Sequence, residues 1–407
     1  MEEKPRIEVL TTPSNHDGVR LQVENVIVKN RDSFNFKMTE LPHMEVAIET
    51  LKSGTADLLA MSAMDWEKNN VKGLEIVAFL PRKEPTWVMV SDDKPEYLPK
   101  NAIIVCQHEL IKRQLLRMRS DFQIYSYQET NDLSEVTEKL NLSDLDESLA
   151  TLENLRNDKI IDAYVISRGA FAQTKNKLRR HTLGMQKDKP TQEFERSRFI
   201  PPPLQGYSFL VSRLSEKESF KKLLSQINDE PTKKNYNVEI YIYKSLDEDI
   251  RDLSGLFVDV QNFKTIINKY AKLLVKNYNL KIVGDTFEPE DNQILKLDYV
   301  EYKRALKEFS EKDREKLKSG WKINPDMIVS PRFMMYYELL DKSGKVSIEH
   351  VRITPDFENM IDRDKTLFLK EIKFSLDYLQ QEHNELKRQR IGLPEEYHSA
   401  KSGLLKL

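Results

Sequence analysis

The apolar positions of this chain switch between a two-residue and a 3.6-residue period, and the switches divide it into alternating strands and helices. Arg6 to Thr11 (RIEVLT) predicts the first strand. After the polar turn Thr12 to Gly18, Val19, Leu21, Val23 and Val26 predict an amphipathic helix. Phe34 to Met38 predicts a second strand, and Glu45 to Lys52 a helix stopped by Gly54. Asp57 to Met61 reads as a buried strand, and Leu74 to Leu80 (LEIVAFL) and Thr86 to Ser91 (TWVMVS) as two more. This β-α-β-α-β-β order is that of an α/β layer with crossovers.

A second unit repeats the scheme about a hundred residues on. Ala102 to Cys106 predicts a strand, Glu109 to Arg119 a helix and Phe122 to Tyr127 a strand. Asp132 to Arg156 is acidic and punctuated by leucines, which predicts an exposed helix. Asp162 to Ile166 reads as a buried strand followed by Gly169, and Phe209 to Val211 carries the chain back to the first unit. The expected organisation is a first lobe of residues 1–95 and 200–213 and a second lobe of residues 96–199. A cleft between two such lobes is a favoured place for a small ligand.

Residues 214–407 carry a different signal, that of an α+β region. Val238 to Tyr243 (VEIYIY) alternates as a strand. Phe263 to Asn277 predicts an amphipathic helix, and Tyr299 to Leu317 a highly charged one. Arg332 to Leu340 and Val346 to Ile353 predict a hairpin around the turn Lys342-Ser-Gly344. Lys365 to Arg390 predicts one long helix with a buried stripe of Ile372, Leu376, Leu379 and Leu386.

Composition narrows the classes. A length of 407 residues suggests two or three domains. The 64 basic and 66 acidic residues nearly cancel, so charge gives no reason to expect a nucleic acid or an anionic membrane as partner. The basic cluster Lys175 to Arg180 reads as a solvated face. A single cysteine, Cys106, excludes a disulfide scaffold and a cysteine-based zinc site, and the seven histidines never fall at metal-ligand spacing. The opening MEEKPRIEVL runs charged residues straight into a strand, unlike a signal peptide, and no apolar run reaches membrane-spanning length. A reducing, cytoplasmic location is the expectation.

The stretch with most chemical interest is Leu51 to Asp65 (LKSGTADLLAMSAMD). Its strand delivers Ser62 and Asp65 at the carboxyl end, where open α/β sheets bind ligands. Asp65 is therefore the first candidate functional carboxylate. The plainer reading is a loop aspartate that caps the next helix.

The order of several motifs resembles the porphobilinogen deaminase (hydroxymethylbilane synthase) family over roughly residues 5–213. Asp57-Leu58-Leu59-Ala60-Met61-Ser62-Ala63-Met64-Asp65 is similar to the family's strand Asp-Leu-Ala-Val-His-Ser-Leu-Lys-Asp. The approach Leu51 to Asp57, the run Gly73 to Pro85 with Arg82, and Leu98-Pro99 ahead of Ile103 are similar to family segments in the same order. So are Arg119-Ser-Asp121-Phe, Asp162 to Gly169, and the crossover Pro201-Pro-Pro-Leu-Gln205-Gly206. The resemblance implies two periplasmic-binding-protein-like (type II) lobes with a cleft and a small third domain. Here that domain would be an enlarged α+β C-terminal one. Tyr336 to Leu339 with Lys345 to Ile353 resembles the family's third-domain sheet, which would make about 240–320 an insertion. In the family a dipyrromethane cofactor hangs from a third-domain cysteine, an aspartate stabilises the pyrrole chemistry, and lysine and arginines bind acetate and propionate groups.

Carried over residue by residue, Asp65 falls on the catalytic aspartate, but the adjoining lysine and histidine become Met64 and Met61 and an early arginine becomes Leu10. Thr-Ser-Ser-Leu-Arg-Arg becomes Cys106-Gln-His-Glu-Leu-Ile111, and Arg-Gly-Asn becomes Gln128-Glu-Thr130. An acidic insertion, Asp132 to Leu149, follows where another substrate-binding arginine is expected. The third-domain region holds no cysteine, and Cys106 aligns with a cleft threonine rather than with the cofactor attachment point. Each lost charge-assisted contact is worth a few kcal/mol. The reading taken forward is a deaminase-like scaffold without its chemistry and without cofactor, acting by binding or assembly, with residues 215–407 offering a surface for a protein partner. One alternative is an active, divergent synthase using Asp65 with Ser62, Lys112, Arg113 or Arg168 as substrate binders and a non-covalent dipyrromethane. Another is a cleft for some other small ligand, apolar where Met61 and Met64 line it.

Overall fold

The computed structural model describes residues 4–13, 18–69, 72–82, 85–132, 145–173, 178–184, 199–261 and 331–380. Short β-branched and leucine-rich runs form the first sheet: β1 (Arg6–Thr11), β2 (Asn35–Glu40), β3 (Leu58–Ser62), β4 (Leu74–Phe79) and β10 (Ser208–Arg213), in the order β2-β1-β3-β10-β4. β1 runs parallel to β2 and β3, and β10 is antiparallel to both β3 and β4. All five residues of β3 are buried, as expected for a strand covered on both faces. α1 (Val19–Asn30) and α2 (Met44–Lys52) provide those covers. Gly54 turns the chain out of α2 at a φ of +83°, a conformation that favours glycine.

The second sheet contains β5 (Trp87–Val90), β6 (Ile103–Cys106), β7 (Gln123–Tyr125), β8 (Ala163–Ser167) and β9 (Arg180–Leu183), in the order β7-β6-β8-β5-β9. β6 is parallel to β7 and β8, while β5 is antiparallel to β8 and β9. The two sheets share one plan. In each, the fourth strand runs antiparallel and arrives from the chain of the other lobe: β10 in the first, β5 in the second. This is the two-lobed type II periplasmic-binding-protein-like fold.

The exchange corrects two boundaries. The strand at Thr86 to Ser91, placed in a first lobe of residues 1–95, belongs to the second sheet, so the first crossing lies between Phe79 and Trp87. Its uniformly apolar run fits either sheet, so hydrophobicity did not reveal its partner strands. At the other end, α7 (Lys217–Leu223) packs beside β4, and Leu224 and Ile227 enter the first lobe's core with Val77 and Leu80. The first lobe therefore continues beyond Arg213. The acidic stretch read as an exposed helix is described from Leu145 as α5 (Leu145–Asn157), and Leu149, Leu152 and Leu155 are buried in the second lobe.

The third domain is a three-stranded antiparallel sheet of β11 (Ser254–Gln261), β12 (Arg332–Leu340) and β13 (Ser347–Pro355), in that order, with α8 (Glu230–Ser245) and α10 (Glu358–Gln380) packed on one face. A short α9 (Glu248–Arg251) links α8 to β11. Val238 to Tyr243, read as a strand, lies inside α8. The Asp229 side chain caps that helix by accepting from Thr232 N, and Pro231 fits its first turn. The buried positions Asn235, Tyr236, Val238, Glu239 and Ile242 follow helical spacing. α8 and β11 are integral to the domain, so an insertion cannot begin at 240. The helices expected at 263–277 and 299–317 lie outside the described residues. The hairpin forms as expected, and the long helix begins earlier, at Glu358, with Ile361, Phe368, Ile372 and Leu376 buried. The side chains of Leu379 and Leu386 lie outside those described. Among the described residues, no helix is long and apolar enough to cross a membrane.

Candidate functional site

The carboxyl ends of the central strands face one another across the lobe boundary and frame a cavity of about 570 Å³. The first lobe contributes Thr12, His43, Met44, Glu45, Ser62, Met64, Asp65 and Lys68, and the second Trp87, Gln107, His108, Tyr127 and Val165 to Ser167. Pro202 to Gly206 of the return crossing form the back. The third domain supplies Tyr243, Arg251 and Asp252. A volume of this size suits a small organic molecule.

Ser62 ends β3 and opens α3 (Ala63–Asn69). Its hydroxyl donates to the Asp65 carboxylate at 2.7 Å and accepts from the Asp65 backbone N–H at 3.0 Å. The cap of α3 is therefore Ser62 rather than Asp65, which sits inside the first turn, anchors the Ser62 hydroxyl and lines the cleft. A carboxylate in the first turn is also favoured by the helix dipole.

Aromatic groups form the opposite wall. The Trp87 indole N–H donates to the Gln205 side-chain oxygen at 3.0 Å, and its ring meets His108 edge-on with centroids 5.3 Å apart. Burial pushes the Tyr127 hydroxyl well above its ordinary pKa, so it stays protonated. Charge in the cavity is weighted towards acid: Glu45, Asp65 and Asp252 against Lys68 and Arg251. The Arg251 guanidinium is already engaged, donating to Leu246 O at 3.0 Å and Lys244 O at 3.2 Å, and it lies 5.1 Å from the Tyr243 ring centroid.

Behind the cavity both crossings are tied by one buried ion pair. The Arg82 guanidinium bonds Glu239 of α8 at 3.0 and 3.1 Å and donates twice to Gln205 O, at 3.0 and 2.8 Å. Glu239 also accepts from Leu204 N at 2.7 Å, Tyr207 Oη at 3.0 Å and Val258 N at 3.2 Å. Burial opposes the Arg82 charge, and the Glu239 carboxylate outweighs it, so Arg82 stays charged.

No family model and no curated protein matches the chain. Solved structures similar to it include the lipoprotein Tp32 from Treponema pallidum, at 10% identity, covering 55% of this chain and 91% of that one with a TM-score of 0.31. Others are a putative methionine-binding lipoprotein from Bacillus subtilis (14% identity, 55% and 89% covered, TM-score 0.28) and the VFT2 domain of BvgS from Bordetella pertussis (13%, 56% and 91%, TM-score 0.29). The fold assignment rests on the strand order given above.

Of the site residues expected from sequence, the structure brings only Ser62 and Asp65 into the cleft. Lys112, Arg113 and Arg168 do not line it. Lys112 pairs with Glu129 at 3.5 Å on the outside of the second lobe. Arg113, only 2% exposed, donates to Leu340 O of the third domain at 2.7 Å and to Glu109 at 3.0 Å. Arg168 opens the short helix α6 (Arg168–Gln173), where its backbone N–H donates to Thr86 O. Proximity in sequence to the missing arginine motif suggested these cations. Leu110, Ile111 and Leu115 of α4 (Glu109–Met118) are buried in the second lobe, however, and that turns Arg113 and Gln114 towards the third domain. Met61 is wholly core, and Met64 reaches the cleft.

Cys106 is buried, with Sγ 3.7 Å from His108 O, and burial pushes its thiol up to about 12. It has neither the position nor the ionisation of a cofactor anchor. A dipyrromethane fits these residues poorly: the third-domain groups at the cleft are Tyr243, Arg251 and Asp252, none able to form the thioether. Among the described residues, no cluster of three or more His, Cys, Asp or Glu could hold a metal ion. Sequence reasoning missed Trp87, Tyr127 and Gln205 as well as the third-domain wall. Gln205 and Trp87 stood in segments already singled out. The third-domain residues gave no signal while 238–243 read as a strand.

Proposed function

We propose that the protein binds a small ligand in the interlobe cleft, and that this ligand is neutral or cationic with a flat apolar part. The carrying observation is the interlobe cavity of about 570 Å³, where the carboxylates of Glu45, Asp65 and Asp252 outnumber Lys68 and an Arg251 already bonded to third-domain carbonyls. Trp87, Tyr127 and Tyr243 line the cavity and give it an aromatic wall for an apolar body. A polycarboxylate needs the opposite equipment, fixed cations and ideally bidentate guanidinium groups. Turnover of porphobilinogen is accordingly not part of this reading.

Tryptophan fluorescence titrations test it with two matched probe sets, arylalkylamines such as phenethylamine and arylalkanoates such as phenylacetate. The amines are expected to bind and the carboxylates not to. Asp65→Asn is expected to weaken the amines by roughly 10-fold or more, the worth of one charge-assisted bond. Preferential binding of the carboxylates, or a purified protein that reacts with Ehrlich's reagent, overturns the reading.

A further inference from the structure

We infer that the third domain is a clamp that holds the two lobes closed over the cleft, so that the cleft opens only when this domain releases one lobe. The domain grips each lobe on one helix, α3 in the first and α4 in the second. On the first lobe, Glu67 of α3 accepts from Tyr236 Oη at 3.2 Å and pairs with Lys244 at 2.8 Å, both residues of α8. The Tyr236 ring also packs against Phe79 and Phe209 of the first sheet, with centroids 5.5 and 4.8 Å away.

On the second lobe, three residues on one side of α4 hold the β12–β13 hairpin. Arg113 donates to Leu340 O, Gln114 to Glu338 at 2.8 Å, and Arg117 pairs with Glu338 and, at 3.5 Å, with Glu349. Gln114 and Glu338 are 0% and 1% exposed, so this contact is a dry, hydrogen-bonded interface that must be hydrated before the hairpin can leave α4. Gly344, at a φ of +69°, lets the hairpin tip lie on α4 so closely that a Cβ there would sit 2.6 Å from Arg113 O.

Between the two grips, Glu239 holds both hinge crossings through Arg82, Gln205 O and Leu204 N. The lobes also touch directly: a Cβ on Gly18 of the first would lie 3.2 Å from Gly169 Cα of the second. A hinge rotation that separates α3 from α4 must therefore break one set of third-domain contacts. Interfaces of this kind repack between discrete arrangements rather than stretch. The clamp concerns the lobes whatever occupies the cleft. Its consequence for ligand entry rests on the binding reading above.

The test needs no ligand. Spin labels at Val28→Cys in the first lobe and Tyr97→Cys in the second, both exposed, report the interlobe distance in the full chain by double electron–electron resonance. Small-angle scattering gives the radius of gyration alongside. The otherwise unchanged protein is expected to show one narrow distance. Arg117→Ala with Glu338→Ala is expected to add a second, longer population and a larger radius. Two populations without those substitutions, or a folded double variant that keeps the single distance, overturn the clamp. Should the double variant not fold, the same outcomes are read from Glu67→Ala and from Gly344→Ala, which loosen one grip each without stranding a buried charge.

Discussion

Replacing Glu239 by alanine isolates the junction where the lobes and the third domain meet. Glu239 is 0% exposed and its two carboxylate oxygens accept from Arg82 twice, Leu204 N, Tyr207 Oη and Val258 N. Removing one partner of a buried ion pair costs about 3–5 kcal/mol, because the remaining charge is left without compensation. The orphaned N–H groups of Leu204 and Val258 add to that, so a loss of at least about 4 kcal/mol is expected. For a domain of 150–250 residues, that corresponds to a fall in melting temperature of about 8–16 °C. Urea unfolding followed by circular dichroism measures the loss. A cycle with Arg82→Ala supplies the coupling, and the double variant should cost less than the two single losses together, by about 0.5–3 kcal/mol. A Glu239→Ala variant within about 1 kcal/mol of the parent, or strict additivity with Arg82→Ala, would refute the reasoning, since either means that the pair is solvated or unformed.

Further outcomes follow from other sites. Ser62→Ala and Asp65→Ala should each cost about 1 kcal/mol in thermal melts, and the pair little more than either, because the two bonds of the cap are reciprocal. Gly18→Ala should destabilise by about 1–3 kcal/mol, since φ at Gly18 is +69° and the added methyl meets Gly169. His350, whose ring bonds Ser375 Oγ at 2.9 Å, is held below its ordinary 6.5 by burial, with Glu371 opposing. The folded state favours its neutral ring, so that stability is complete above pH 6.5 and declines as pH falls below it; His350→Gln should flatten this part of the pH–stability curve. Cys106 should react with a thiol reagent only on unfolding, and rapid labelling of the native protein would contradict its burial.

Local pattern carried much of the fold. The run Leu58 to Ser62 reads as a doubly covered strand and is one, and the hairpin turn at Lys342 to Gly344 follows from its residues. What pattern could not supply is partnership. Trp87 to Val90 has four buried residues, so nothing in its alternation distinguishes one sheet from the other; the chain's path decides, through backbone pairing with β8 and β9. Val238 to Tyr243 alternates for six residues, which suits a strand, yet the cap at Asp229 lies nine residues upstream of Val238 and sets a helix running through it. At the site, position at the end of β3 was sufficient to single out Asp65 and Ser62. The remaining walls come from segments distant in sequence, and only the closed arrangement of three domains brings Trp87, Gln205 and Asp252 to one cavity.

The misplaced cations and the acidic cleft have a common cause. A guanidinium buried at an interface must find acceptors for its donors, and once it has them it is unavailable to a ligand. Arg113 and Arg117 leave the second lobe on the face of α4 that meets β12, and their acceptors are Leu340 O and Glu338 of the third domain. Arg251 reaches the cleft but is bonded to carbonyls at the end of α8. Arg113 and Arg117 are thus committed to the third-domain interface and Arg251 to carbonyls of its own domain, and Lys68 is the other cation that lines the cavity. Against Lys68 and Arg251, the carboxylates of Glu45, Asp65 and Asp252 leave the cavity with a slight excess of negative charge, which is the basis of the proposed preference for a ligand without negative charge.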